Sequence, residues 1–135
     1  GCTPLYDAMG RAISQLDSRI KEGDAVLVTI ITDGMENSSC VYSGTAVKEL
    51  VARQREKGWT FAYIGANQDA VEVARELNIS NALDFDASPE GMVTMSVKYE
   101  KARKKYLRNV HCCMDMGSSP SFLGKLMDLF EEDKD

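Results

Sequence analysis

The stretch Ala25-Val-Leu-Val-Thr-Ile-Ile-Thr-Asp-Gly34 decides the fold of this chain. It is an apolar run rich in Val and Ile, and it ends abruptly in the turn signal Thr32-Asp-Gly34. Such a run predicts a strand that is buried on both faces, as in a parallel sheet with helices on each side. Groups just beyond the carboxyl ends of parallel strands line the functional crevice of such a sheet. We therefore expect Asp33 to present its carboxylate at that edge.

Helices and further strands are expected to alternate along the rest of the chain. Thr3 and Pro4 have the pattern of a helix start, an N-cap hydroxyl followed by proline at the first helical position. Periodicity then predicts helices at about 45–57, 68–77 and 88–108, and strands at 59–64 and 82–85. Alternating strands and helices indicate a parallel sheet. The predicted fold class is α/β, with three layers (helices, a mostly parallel sheet, helices) of the Rossmann-like kind.

Composition excludes several classes of protein. The formal net charge of −5 argues against a general nucleic-acid binder, and no apolar run is long enough to cross a bilayer. No signal peptide is visible in the sequence. The four cysteines (Cys2, Cys40, Cys112 and Cys113) match no zinc pattern, so we interpret them as reduced thiols in a cytoplasmic protein.

Two motifs resemble a known family. Thr3-Pro-Leu-Tyr-Asp-Ala8, followed by Ile30-Ile-Thr-Asp-Gly-Met-Glu-Asn37, is similar to the carboxyl-terminal half of a von Willebrand factor A-type (VWA) domain, from Gly1 to about Val110. That family binds a metal at a site called MIDAS, through an Asp-x-Ser-x-Ser loop, a Thr and an Asp. The resemblance implies that Thr3 and Asp33 are metal ligands. It also implies an amino-terminal truncation, because the first strand and its Asp-x-Ser-x-Ser loop would precede Gly1.

The function implied by the resemblance is metal-ion-dependent binding of a protein partner, without catalysis. Weakly held Mg²⁺ or Mn²⁺ is the expected ion, because a carboxylate and a hydroxyl favour hard cations. One alternative is a small α/β enzyme, a hydrolase or phosphoryl-transfer enzyme that uses Asp33 at the sheet edge. The chain has no Gly-rich phosphate loop and no Gly-x-Ser-x-Gly elbow to support that alternative. Another alternative is a non-catalytic remnant that serves in assembly.

The segment after residue 110 differs in character from the VWA-like part, 1–110. We interpret 111–135 as an acidic tail with a short amphipathic helix, whose apolar stripe is Leu123, Leu126, Met127 and Phe130. The cluster Asp115-Met-Gly-Ser-Ser119 is typical of a loop. Alternatively, residues 110–114 form a strand that takes the place of the missing first strand. In that arrangement Asp115 and Ser119 would join the metal site.

The absent neighbouring strand leaves one edge of the 25–32 strand unpaired. An apolar edge is a template for pairing with another strand. We expect two copies to pair through this edge as an isologous homodimer, or residues 110–114 to fill it.

A basic stripe marks the end of the long helix at 88–108. Its members are Lys98, Lys101, Arg103, Lys104, Lys105 and Arg108. A solvated helix face explains the stripe, and binding of an electrostatic partner, including the acidic tail, is the alternative.

Overall fold

Four helices alternate with three strands along the part of the chain that the structure describes. The computed structural model describes residues 4–33, 39, 41–67, 69–119 and 128–131. The elements in chain order are α1 (Leu5–Asp17), β1 (Leu27–Thr32), α2 (Gly44–Glu56), β2 (Thr60–Ala66), α3 (Ala70–Glu76), β3 (Asn81–Phe85) and α4 (Pro89–Asp115). The predicted α/β class with a parallel sheet is confirmed.

The sheet has the strand order β1-β2-β3, and both strand pairs are parallel. Every residue of the central strand β2 is buried. By contrast, Ile31 in β1 exposes 54% of its surface. The expectation that the 25–32 strand is buried on both faces, and is the most buried strand, is therefore wrong. Among the described residues β1 pairs with β2 alone, whereas β2 has a neighbour on each side.

The two faces of the sheet bury different helices. Successive strand residues point to opposite faces, so Phe61 and Tyr63 pack with α1, α2 and α3, whereas Ala62 packs with α4. On the α4 side, the Tyr99 hydroxyl donates a hydrogen bond to Thr29 Oγ1 at 2.9 Å. One face is thus covered by three helices, and the other by α4 and a short segment of the tail.

Helix α4 is longer than the sequence pattern predicted, with 27 residues that end at Asp115 instead of about 108. Its buried residues continue at helical spacing past that point: Met95, Ala102, Tyr106, Val110 and Cys113. Two residues beyond the end of the helix, Gly117 has a φ of +74°, which allows the Schellman hydrogen bonds from Gly117 N–H to the Met114 carbonyl and from Ser118 N–H to the Cys113 carbonyl. No helix among the described residues combines the length and apolarity needed to cross a membrane.

The strand proposed at 110–114 is therefore wrong. This apolar run lies within α4, where Val110 and Cys113 are buried on one face and His111, Cys112 and Met114 are exposed on the other. A run that is half buried on a helix cannot fill the edge of β1.

Residues 128–131 of the tail pack on the same face of the sheet as α4. The Leu129 side chain is buried, and its backbone N–H donates a hydrogen bond to Asn81 Oδ1 at 2.9 Å. Asn81 Nδ2 in turn donates to the Phe61 carbonyl oxygen at 3.1 Å. The proposed boundary between 110 and 111 lies inside α4. Most of the amphipathic helix predicted for the tail falls on 120–127, outside the described residues.

Candidate functional site

Asp33 directly follows β1 and is exposed. The preceding residue Thr32 lies opposite Gly65 in the parallel register, close to the carboxyl end of β2. Asp33 therefore lies at the carboxyl edge of the sheet, where the sequence placed it. Its role as a metal ligand stays a prediction.

Thr3 lies outside the described residues. The helix that it precedes begins one residue later than expected, because Pro4 takes the N-cap position and Leu5 is the first helical residue. The amino end of α1 lies at the same end of the strands as Asp33, because Asp7 in its first turn binds residues 41 and 42, which follow β1 in the chain.

Asp7 joins the first turn of α1 to the segment that follows β1. Its Oδ1 accepts hydrogen bonds from the backbone N–H groups of Val41 at 2.9 Å and Tyr42 at 2.7 Å. Its own backbone N–H donates to Ser39 Oγ at 3.0 Å. Asp7 is 5% exposed, so its carboxylate is largely shielded from water. This clamp holds Ser39, Val41 and Tyr42 against the first turn of α1.

Two tyrosine rings pack against glycines between α1 and the start of α2. A methyl group at Gly10 of α1 would lie 2.5 Å from three ring carbons of Tyr42. A methyl group at Gly44 of α2 would lie 3.2 Å from the ring of Tyr6. Each glycine thus leaves room for a ring from the facing segment, so α1 and the start of α2 pack closely.

Two other carboxylates at the carboxyl edge hold the start of α3. Asp69 caps the helix by accepting a hydrogen bond from Glu72 N–H, and Asp84 Oδ1 accepts one from Ala70 N–H at 2.7 Å. Burial raises the pKa of the neighbouring Tyr63 to about 12, with further contributions from Tyr6 and Asp84. Tyr63 is therefore a neutral phenol at physiological pH. Asp69 and Asp84 are exposed like Asp33, but both accept hydrogen bonds from backbone N–H groups at the start of α3.

Asp115 and Ser119 are not brought to this edge. Helix α4 starts beyond the carboxyl end of β3, passes Thr29 at the middle of β1, and places Val110 in the same cluster as Ala25 and Leu27. From Tyr99 to Asp115 the helix rises by about 24 Å in that direction. Asp115 and Ser119 therefore lie toward the amino-terminal end of the strands, on the side opposite Asp33.

Among the described residues, the remaining chemistry-bearing side chains form no second centre. Within the described residues, no group of three or more His, Cys, Asp and Glu side chains is arranged to hold a metal ion. Cys112 is an exposed free thiol, and Cys113 is a buried one whose Sγ contacts the Ser119 carbonyl oxygen at 3.7 Å. Cys2 and Cys40 lie outside the described residues.

Sequence reasoning missed the role of Asp7. An acid in the first turn of a helix is ordinarily explained by the helix dipole, and Asp7 fits that pattern. No local signal indicates that its carboxylate binds backbone groups more than thirty residues away.

Comparison with known proteins found no match: no family model, no curated protein and no solved structure matches the chain. The VWA resemblance therefore rests on the two sequence motifs alone and stays a prediction.

Proposed function

We propose that the chain is a protein-binding module of the VWA type, whose carboxyl edge binds a partner through a divalent cation. The observation that carries this proposal is the position of Asp33, exposed and directly beyond β1 at that edge. An exposed carboxylate at the end of a parallel strand suits Mg²⁺ or Mn²⁺, which prefer oxygen ligands. The proposed activity is binding, and it requires no nucleophile.

The clamp at Asp7 supports Thr3 as the second ligand. Asp7 ties the amino end of α1 to residues 41 and 42, which follow Asp33 in the chain. Thr3 directly precedes Pro4, the N-cap residue of α1. A hydroxyl and a carboxylate would then reach one ion from two neighbouring segments.

Such a site holds its ion weakly when no partner is bound. One carboxylate and one hydroxyl offset little of the cost of dehydrating a hard cation. The open coordination positions are available to a carboxylate from the partner protein. Metal and partner are thus expected to strengthen each other's binding.

Titration calorimetry with Mg²⁺ and with Mn²⁺ tests the metal site. We expect the wild type to bind weakly and Asp33→Asn to lose binding, because the amide keeps the size of the side chain but removes its charge. Glu22→Gln is the matched control, since Glu22 is an exposed acid between α1 and β1 at the other end of the sheet. Equal binding by the wild type and Asp33→Asn would exclude Asp33 from the site, and absence of binding by the wild type would show that the chain alone is not a competent site.

A further inference from the structure

A groove of about 750 Å³ runs along α4 on the face of the sheet away from α1, α2 and α3. Its apolar part is formed by Leu83 of β3, Val93 and Val97 of α4, and Phe130 of the tail segment. Val93 and Val97 expose 65% and 52% of their surfaces. Aliphatic side chains in a concave surface are the part of the molecule best suited to receive an apolar side chain from a partner.

The other part of the groove is cationic. Lys101 and Lys104 follow Val97 at spacings of four and three residues, so they continue its stripe of the helix. Lys98 lies three residues before Lys101 and borders that stripe, and all three lysines are exposed. Lys105 and Arg108 line the same end. The lined part of α4, from Val93 to Arg108, is about 22 Å long. The groove thus changes from aliphatic to cationic along its length.

This cationic stripe contrasts with the charge of the whole chain, which is −5. A local excess of lysine on an acidic protein attracts anionic partners to one place and repels them elsewhere. An anionic partner of this groove must therefore be narrow enough to contact the lysine stripe without approaching the acidic surface around it.

A segment of the chain itself forms one wall of the groove. Leu129, Phe130 and Glu131 line it, with Leu129 buried and Phe130 half-buried. Lys105 Nζ donates a hydrogen bond to the Glu131 carbonyl oxygen at 3.2 Å. Two apolar side chains and the backbone of an adjoining acidic residue thus lie beside the lysines of the groove.

We propose that this groove binds an acidic amphipathic peptide segment of a partner protein, with its apolar side chains on Val93 and Val97 and its carboxylates on Lys98, Lys101 and Lys104. Apart from Phe130, the apolar side chains that line the groove are aliphatic. This favours a peptide over a single-stranded nucleic acid, whose successive bases usually stack on several aromatic side chains. The groove lies on the α4 face and uses neither Asp33 nor a metal ion, so this proposal is independent of the proposed function.

Fluorescence anisotropy tests the proposal with a labelled peptide of three Asp-Leu-Phe-Glu repeats. We expect the wild type to bind it, and Lys98→Glu/Lys101→Glu to weaken binding by about tenfold or more, because two attractive contacts become repulsive. Val97→Ser should also weaken binding, since it removes apolar contact without changing charge. Chelation of divalent cations should leave binding unchanged, which separates this site from the proposed metal site.

The matched control is Lys48→Glu/Arg53→Glu, which reverses two exposed charges on α2, on the other face of the sheet. Circular dichroism melts establish that each variant is folded. The proposal is overturned if the control weakens binding as much as the groove variant does, or if the wild type does not bind the peptide. A labelled oligothymidylate of equal length that binds more tightly than the peptide would overturn it in favour of nucleic acid.

Discussion

The carboxylate of Asp7 accepts a hydrogen bond from the backbone N–H of Tyr42 at 2.7 Å, across 35 residues of sequence. Together with the bond from Val41 N–H to the same oxygen, it is a charge-assisted and partly buried contact. Val41 and Tyr42, which precede α2, are therefore held beside the first turn of α1.

Replacing Asp7 should destabilise the fold strongly. In Asp7→Ala two partly buried backbone N–H groups lose their charged acceptor, which should lower the free energy of unfolding by about 2–3 kcal/mol. Urea denaturation measures the change. Glu22→Ala, at an exposed position, is the control and should stay within about 0.5 kcal/mol of the wild type. A change in Asp7→Ala as small as that of the control would show that the clamp contributes nothing to stability.

The helices and strands of this fold could be predicted from short stretches of sequence. The features that the sequence did not predict depend on contacts between residues far apart in the chain. The Val- and Ile-rich run and the helical periodicities are read within a few residues, so the α/β class and the position of Asp33 could be predicted. Strand β2 is more buried than β1 because β2 is the central strand. The sequence of a single strand does not specify which strand is central. The end of α4 was misplaced because the apolar run 110–114 was interpreted as a separate segment, whereas Val110 and Cys113 continue the buried stripe of the helix.

The candidate site was predicted only in part for the same reason. Asp33 follows an unmistakable strand, but the partners of Asp7 at 41 and 42 are set by the packing of α1 against the start of α2. The Leu129–Asn81 contact likewise joins residues 48 positions apart. Asp115 and Ser119 were candidate metal ligands only if residues 110–114 formed a strand. Those residues are part of α4, so the two side chains are not brought to the site.

Gly10 should tolerate alanine only when the Tyr42 ring is absent. Alanine is favoured over glycine in helices by about 1 kcal/mol, but the new methyl group would meet the ring carbons of Tyr42. Gly10→Ala should therefore destabilise the wild type by about 1–3 kcal/mol. In a Tyr42→Ala background the same change should be neutral or stabilising. A double-mutant cycle by urea denaturation measures this coupling, and identical effects in both backgrounds would contradict the packing described.

Tyr106 should make the fold sensitive to alkaline pH. Burial raises the pKa of Tyr106 to about 12, from an ordinary value of 10.0. Below pH 10 the phenol is protonated in both states and has no effect on the pH dependence. Between pH 10 and about 12 the unfolded chain loses this proton first, so stability should fall as pH rises through that window.

The variant Tyr106→Phe isolates this effect, because it keeps the ring in the core and removes the ionisable group. Its stability should fall less steeply than that of the wild type between pH 10 and about 12, as measured by urea denaturation along the pH series. Tyr63, whose pKa is raised in the same way, is present in both proteins and cancels from the difference. Parallel curves for the two proteins would refute the assignment.

The edge of β1 should pair with a second copy of the chain. Among the described residues β1 has β2 as its sheet neighbour on one side, and its sequence Leu27-Val-Thr-Ile-Ile-Thr32 contains no charge and no proline to deter pairing. The alternative prediction was that residues 110–114 pair with the edge of β1 as a strand, and it is excluded because those residues are helical. A two-fold axis through the edge would make the two β1 strands antiparallel and the sheet continuous.

A lysine in β1 tests this pairing. We expect light scattering to show a dimer for the wild type and a monomer for Ile31→Lys, because a charge on an edge strand opposes pairing. Val71→Lys on α3 is the matched control, since Val71 is 48% exposed and Ile31 is 54% exposed. It should remain a dimer. Point substitutions are better suited than deletion of 111–135, which would remove the buried Cys113 and Leu129. A wild type that is monomeric by light scattering, or a dimer that Ile31→Lys leaves intact, would show that β1 is not the site of pairing.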